Sequence, residues 1–206
     1  MHGLPAALAT AFYNCGIDKH RQGAHDGAIA DFSQCLRFDP DCAPALLGRG
    51  YALDARRQWT RAAADFRRAC EIGLLPRQED AVRLRLWLLG ARTGQVETAN
   101  LQLSGHFACR KSGPAPSPWT SWVASFLLGL PEPEFLQGMD SPVMDRDAGH
   151  ACQGWFFAGA VRLLSGDAQQ ARLYFDTAIG TDARHVEEYW SARAEAEALR
   201  SAGRAE

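Results

Sequence analysis

The residues best suited to chemistry in this sequence are histidines close to a cysteine or an acidic residue. His106 and Cys109 are three residues apart, a spacing that places a nucleophile and its base, or two metal ligands, on one face of a helix. His185 and Glu188 share this spacing, but the second Glu-x-x-His copy of a carboxylate-bridged metal site is absent. We interpret His106 and Cys109 as partly buried packing residues, and His185 and Glu188 as the surface of a terminal helix.

A third group, His20, His25 and Asp26, spans the end of one predicted helix and the start of the next. Because a turn separates these residues, they do not share a helical face, and the i, i+4 argument for metal ligands fails. The sequence also lacks a Gly-rich nucleotide-binding loop, a P-loop lysine motif and a Gly-x-Ser-x-Gly elbow. We therefore expect no catalytic residue, no metal site, no cofactor and no enzyme activity.

The six cysteines are scattered and form no Cys-x-x-Cys pair, which excludes a zinc knuckle and a thioredoxin-like motif. They could form three disulfides in an exported protein, but the first residues lack the basic region and apolar stretch of a secretory signal. We expect reduced thiols and a cytoplasmic location. No apolar run approaches the roughly 18 to 20 residues of a membrane span. The pI near 6.3 argues against a nucleic-acid partner, despite arginines clustered from Arg56 to Arg68.

The strongest pattern is a repeat with a period of 34 residues. A fixed period of roughly 20 to 50 residues predicts stacked supersecondary units. A degenerate copy has Gly94, Ala99 and Leu103, with bulky Trp87 at the small position of its first helix. Two complete copies, 34 residues apart, read Gly16, Ala28, Phe32 and Cys35, then Gly50, Ala62, Phe66 and Ala69, and a third, at an offset of 143 from the first, reads Gly159, Ala171, Phe175 and Ala178.

Each repeated position has a mechanical role in a helix hairpin. The glycine lets the first helix approach its neighbour, the alanine does the same for the second helix, and the phenylalanine projects into the core. Gly23 and Gly166 fall in the turns, Asp167 fits an N-cap, and Pro40 ends the first unit. The pattern resembles the tetratricopeptide repeat (TPR), and this resemblance implies an all-α, right-handed solenoid of stacked helical hairpins.

We predict a single TPR-like domain over residues 1–206. Ser117 and Pro118 are predicted to open a helix that runs to about Gly129, followed by a turn and an irregular stretch through Gly138 and Pro142. The predicted hairpin helices are at about 6–21 and 25–38, 43–56 and 59–72, 78–92 and 95–109, and 146–165 and 167–180, and a last helix at about 182–201 is a solenoid cap. The predicted repeats are about 9–42, 43–76, 78–110 (degenerate) and 146–182, with an insertion at 111–145 and the C-terminal cap at 183–206.

Three further segments carry a more specific resemblance: RLRLWLLGARTG, FLLGLPEPEF and EEYWSARAEAEAL. They look like a family of bacterial TPR lipoproteins that are adaptors for cell-wall hydrolases and proteases. The sequence has neither a signal peptide nor a lipid-attachment cysteine near its N-terminus, so the resemblance implies the fold and not the location.

The resemblance to TPR proteins also implies a concave groove lined by the first helix of each hairpin. Such an aromatic and aliphatic lining suits an apolar helix or an extended segment. Alternatively, some of these residues belong to the core, or the 93–150 segment fills the groove. The implied groove residues are Tyr13, Ile17, His20, Leu47, Tyr51, Asp54, Leu84, Leu88, Phe156 and Leu163.

These observations favour a non-enzymatic adaptor or scaffold that binds a protein or peptide in the groove. A homodimer through exposed repeat ends is compatible with this hypothesis. The alternative is a secretion chaperone or an immunity-type inhibitor of one cognate effector, which would also bind protein but would mask a single target.

Overall fold

The computed structural model describes residues 3–108, 115–139 and 147–203. Within these ranges the chain forms eleven α-helices and no β-strand, which confirms the all-α prediction. The chain separates into two compact units, Met1–Val82 and Arg83–Glu206, called here the N-terminal unit and the C-terminal unit. The single repeat domain and the continuous right-handed solenoid over residues 1–206 stay predictions.

The predicted hairpins correspond to pairs of helices in the structure. α5 (Pro76–Arg92) begins in the N-terminal unit and ends in the C-terminal unit. The N-terminal unit also holds α1 (Gly3–Arg21), α2 (His25–Phe38), α3 (Ala43–Ala55) and α4 (Trp59–Ile72). The C-terminal unit continues with α6 (Val96–Ala108), α7 (Pro118–Leu127), α8 (Glu132–Met139), α9 (Ala148–Leu164), α10 (Ala168–Gly180) and α11 (Glu187–Ala202).

In the N-terminal unit, α2 packs against both α1 and α3, and the ring of Phe32 fills the space between them. A Cβ atom added at Gly16 would lie 2.7 Å from this ring, and one added at Gly48 would lie 2.5 Å from it. Both distances are shorter than van der Waals contact, so only glycine allows α1 and α3 to approach the ring this closely.

The same glycine-to-phenylalanine packing recurs in two other hairpins. A Cβ added at Gly50 would lie 2.7 Å from the Phe66 ring, and one at Gly159 would lie 2.7 Å from the Phe175 ring. The role predicted for the repeated glycines and phenylalanines is therefore confirmed in all three complete copies. In the degenerate copy, the Trp87 indole of α5 donates a hydrogen bond of 2.7 Å to the Oδ1 atom of Asn100 in α6.

In the turns between paired helices, the residue at one repeated position has a left-handed backbone conformation, with a positive φ. Gly23, Gly94 and Gly166 hold it with φ of 80°, 75° and 85°, and Arg57 holds it in the second hairpin with φ of 57°. Glycine adopts this conformation without steric cost, whereas arginine does not. The predicted N-cap is also present, because the Asp167 side chain accepts a hydrogen bond of 3.0 Å from the backbone N–H of Gln170.

The part of the predicted insertion that the structure describes, residues 115–139, forms α7 and α8. The prediction of α7 is confirmed at its start, where the Ser117 hydroxyl accepts a 3.0 Å hydrogen bond from the backbone N–H of Thr120. α7 packs against α6, α8 and α9.

The sequence predicts a turn and an irregular stretch where the structure forms α8. Phe135 is fully buried, with its ring centroid 4.1 Å from that of Phe126, and this burial stabilises the short helix. Gly138 does not break the helix, because the Trp122 indole covers it: an added Cβ would lie 2.2 Å from this ring. Glycine is therefore needed here for close packing and not for a turn.

Candidate functional site

Six of the predicted groove residues lie in the N-terminal unit, on α1 and α3, which contact each other. His20 and Asp54 are buried, each 5% exposed, and the other four are half-buried. The Tyr13 ring lies 6.1 Å from the Phe32 ring, and the Tyr51 ring lies 5.0 Å from the Phe66 ring. Contact of these half-buried side chains with a partner stays a prediction. The six residues are Tyr13, Ile17 and His20 on α1, and Leu47, Tyr51 and Asp54 on α3.

The other four predicted groove residues lie in the C-terminal unit, and three of them are core residues. Leu84, Leu88 and Phe156 are completely buried, whereas Leu163 is half-buried. They pack in one hydrophobic cluster with residues of α7, α9 and α11. In this conformation Leu84, Leu88 and Phe156 have no surface to offer to a partner.

Buried ion pairs join α5 to α11 beside this core. An Nη atom of Arg85 lies 3.6 Å from a carboxylate oxygen of Glu188. The Arg92 guanidinium bonds to the Glu195 carboxylate. The two arginines are seven residues apart on α5 and the two glutamates are seven residues apart on α11. Seven residues correspond to about two turns of an α-helix, and the residue numbers increase in the same direction on both helices. The two ion pairs are therefore formed in the same register.

The Arg85–Glu188 pair belongs to a larger buried network of polar side chains. The Gln153 amide donates a 3.3 Å hydrogen bond to Glu188 and accepts one of 2.8 Å from the Trp119 indole. The Arg85 guanidinium also lies 4.4 Å from the centroid of the Phe156 ring, as in a cation–π contact. These contacts offset the cost of burying charge, which is high when a partner is missing.

The network corrects the interpretation of Glu188 as helix surface, because its side chain is buried and hydrogen-bonded. His185, three residues earlier, is exposed. Arg85 is also missing from the residues selected from the sequence, although it stands between Leu84 and Leu86 in the apolar second half of α5. An arginine at that position is a signal of a buried ion pair.

The N-terminal unit carries a cavity of about 430 Å³ that opens to solvent between α1, the end of α2 and the start of α3. One predicted groove residue, Tyr13, lines it. The floor is mainly apolar, and the exposed Phe38 ring stacks at 6.0 Å on Phe12 beside it. The described lining residues are Pro5, Ala6, Ala9, Thr10, Tyr13, Cys35, Phe38, Asp39, Cys42 and Pro44.

The electrostatic character of this cavity is acidic. Among its described lining residues, Asp39 is the single charged side chain, and it caps the C-terminal end of α2. The carbonyl groups at a helix C-terminus add partial negative charge to that of the carboxylate. The cavity therefore suits an apolar group that has a cation beside it.

Two thiols form part of the cavity wall. Burial raises the pKa of the Cys35 thiol to about 12, and the neighbouring Cys42 thiol, which shares a hydrogen bond with it, adds to the shift. At neutral pH Cys35 is therefore a neutral thiol in the wall and not a nucleophilic thiolate.

The residues considered first for chemistry lie in both units of the chain. His106 is half-buried with its ring 5.1 Å from that of Phe107, and Cys109 lies outside the described residues. His20 and His25 contact each other through their rings at 5.2 Å. Within the described ranges, no three His, Cys, Asp or Glu side chains are grouped as ligands for a metal ion. No described helix is both long and apolar enough to cross a membrane.

Fold and site together define an all-α protein built from helix hairpins, with an open apolar cavity in its N-terminal unit. Compared with protein-family models and with curated proteins, the chain matches none.

Proposed function

We propose that this protein is a TPR-type adaptor that binds a peptide segment of another protein at the cavity of the N-terminal unit. The observation that carries the proposal is an open, mainly apolar cavity between α1, the end of α2 and the start of α3. Tyr13 belongs to both the predicted groove and the cavity wall. The identical glycine-to-phenylalanine packing of three hairpins supports the TPR part of the proposal.

The cavity favours a particular kind of peptide. Its volume of about 430 Å³ is in the range of small-ligand pockets and accommodates a large apolar side chain. Asp39 at the rim attracts a lysine or arginine next to that side chain, because the rim has no described cation to neutralise it. The proposed ligand is therefore an aromatic or large aliphatic residue flanked by a basic one.

The proposal assigns binding to the N-terminal unit for a physical reason. In the C-terminal unit, the equivalent faces of α5 and α9 are buried in the core with α11. A partner would have to displace the ion pairs of Arg85 and Arg92 before it reached Leu84 or Leu88.

Fluorescence polarisation with synthetic peptides tests the proposal. The peptides carry a central Trp, Leu or Ser flanked by two lysines or by two glutamates. We expect the Trp and Leu peptides with lysines to bind most tightly. Ala6→Trp should fill the cavity and Tyr13→Ala should remove part of its wall, so both should weaken binding. Asp39→Asn should reduce the preference for lysine over glutamate.

Ala64→Trp, at an exposed position of α4 away from the cavity, is the matched control and should bind like the unmodified protein. Equal binding of all six peptides, or unchanged binding by both Ala6→Trp and Tyr13→Ala, would sink the proposal.

A further inference from the structure

Two cysteines meet in the wall of the N-terminal cavity. Cys35 lies in the last turn of α2 and is 1% exposed, whereas Cys42 directly precedes α3 and is partly exposed. Both side chains line the same cavity, and the Cys42 thiol is close enough to that of Cys35 to raise its pKa. The turn that brings them together consists of Asp39, Pro40 and Asp41.

Helix packing alone does not require this pair. In the other complete copies of the repeat, the position of Cys35 is held by Ala69 and Ala178, which are also completely buried. The residue 34 positions after Cys42 is Pro76, the first residue of α5. A small apolar side chain is therefore sufficient at the first site, and a thiol is not repeated at either.

We propose that Cys35 and Cys42 are a modification site at which a peroxide converts the two thiols into an intramolecular disulfide. The Cys42 thiolate attacks one peroxide oxygen, the O–O bond breaks, and a sulfenic acid forms at Cys42, while the released hydroxide takes up the proton that the Cys42 thiol had lost and becomes water. The neutral Cys35 thiol then attacks the Cys42 sulfur, the S–S bond forms, and the hydroxyl leaves with the proton of the Cys35 thiol as a second water. The two thiols lose two electrons and the peroxide gains them.

The positions of the two sulfurs assign the order of these steps. Cys42 is accessible to a dissolved oxidant, whereas Cys35 is covered by the hairpin core. A disulfide requires a sulfur–sulfur distance of about 2.05 Å, so the two sulfurs must move closer. The Cys42 side chain can rotate towards Cys35 because it forms no cap hydrogen bond.

The disulfide would tie the end of α2 to the start of α3 across the cavity wall. The consequence for peptide binding rests on the proposed function: oxidation moves Cys42 towards Cys35, which changes the shape of the cavity next to Asp39. We expect peptide affinity to differ between the reduced and oxidised proteins and to return when the disulfide is reduced.

Peroxide treatment of the full-length reduced protein tests the modification site. After alkylation of the remaining thiols and digestion with trypsin, we expect a cross-link between the peptides 22–37 and 38–49, because Arg37 separates the two cysteines. Dithiothreitol should release it. Cys35→Ala, which copies the alanine of the other repeats, and Cys42→Ser should both abolish the cross-link. Cys15→Ser, which alters an exposed thiol outside the cavity, should leave it unchanged.

The proposal is overturned if both peptides remain fully alkylated after peroxide treatment, or if Cys42 is cross-linked to a different cysteine. The polarisation assay is then run on the reduced and oxidised proteins. A cross-link without any change in peptide affinity refutes the effect on the cavity. A cross-link in a protein that binds no peptide in either state refutes the proposed function and leaves the modification site intact.

Discussion

The ring of Phe32 packs between two glycines, one on α1 and one on α3. Only one of these glycines can be recognised from the repeat pattern of the sequence. Gly16 is part of the repeat pattern, whereas Gly48, on the next hairpin, contacts the same ring from the other side. A pattern of single positions identifies the first contact and not the second, because the second depends on how neighbouring hairpins stack.

Gly48→Ala should destabilise the N-terminal unit by about 1–3 kcal/mol, because the new Cβ would lie 2.5 Å from a ring that has no space to move into. Hydrogen exchange of the α2 amides measures this free energy within the unit. Gly27→Ala in α2 is the control, because its Cβ meets only the flexible side chain of Lys19. This substitution should lower the stability of the N-terminal unit by less than about 0.5 kcal/mol. Equal protection of α2 in both variants would contradict the tight packing.

The contact between Cys35 and Cys42 could not be predicted from the sequence. Their spacing of seven residues matches no thiol motif, and only the turn through Pro40 brings the end of α2 back towards the start of α3. Residue types predicted that the cysteines pack as small apolar groups, which is correct for the buried Cys35 and Cys152. Their proximity is a property of the fold.

Among the elements, the interhelical turn of the second hairpin carries backbone strain at Arg57, as the turn between α10 and α11 does at Asp182, which has φ of 51°. Arg57 adopts the left-handed conformation that glycine holds in the corresponding turns of the other hairpins. The strain is local, because α3 and α4 have the same packing as the other complete pairs, with Gly50 against Phe66.

Arg57→Gly should raise the stability of the N-terminal unit by up to about 1 kcal/mol, because glycine adopts this φ without steric cost. The reciprocal change, Gly23→Ala, should lower stability by a similar amount. Thermal unfolding followed by circular dichroism compares the two variants with the unmodified protein. A lower melting temperature for Arg57→Gly would show that contacts of the arginine side chain outweigh its backbone strain.

The helices could largely be predicted from the sequence, because the repeat period fixes both members of each hairpin. α8 could not, since Pro133 and Gly138 both read as helix breakers. A proline in the first turn is compatible with a helix, because the first backbone N–H groups have no partner within the helix. The covering of Gly138 by Trp122 is a tertiary contact that no local pattern contains.

At the scale of the whole molecule, the ion pairs of α5 with α11 join distant parts of the chain. Arg92 and Glu195 are 103 residues apart. The groove residues Leu84, Leu88 and Phe156 were predicted by copying the register of the first hairpin. Their burial follows from packing with residues of α7, α9 and α11, and a repeat pattern carries no information on that packing.

Glu188→Gln should destabilise the C-terminal unit by about 3–5 kcal/mol, because it removes one charge of a buried pair whose arginine, Arg85, is 1% exposed. The double variant Arg85→Leu, Glu188→Leu should recover much of this loss, since it removes both charges of the pair. Hydrogen exchange of the α11 amides measures both effects.

Asp26→Asn is the matched control, because Asp26 pairs with Arg56 on the surface of the N-terminal unit, where both side chains are exposed. It should cost at most about 1 kcal/mol. Similar losses for Glu188→Gln and Asp26→Asn would contradict a special role for the buried pair.

The number of residues between the members of each ion pair also affects when each unit can fold during translation. Arg49 and Asp65, which bond at 2.7 Å, are 16 residues apart, so the second hairpin is ready to close once α4 has emerged. Arg85 and Arg92 leave the ribosome long before Glu188 and Glu195, so their ion pairs cannot form until α11 has been synthesised. Until Glu195 has been made, the face of α5 that carries them lacks its cover and is open to unintended contacts, such as those chaperones prevent.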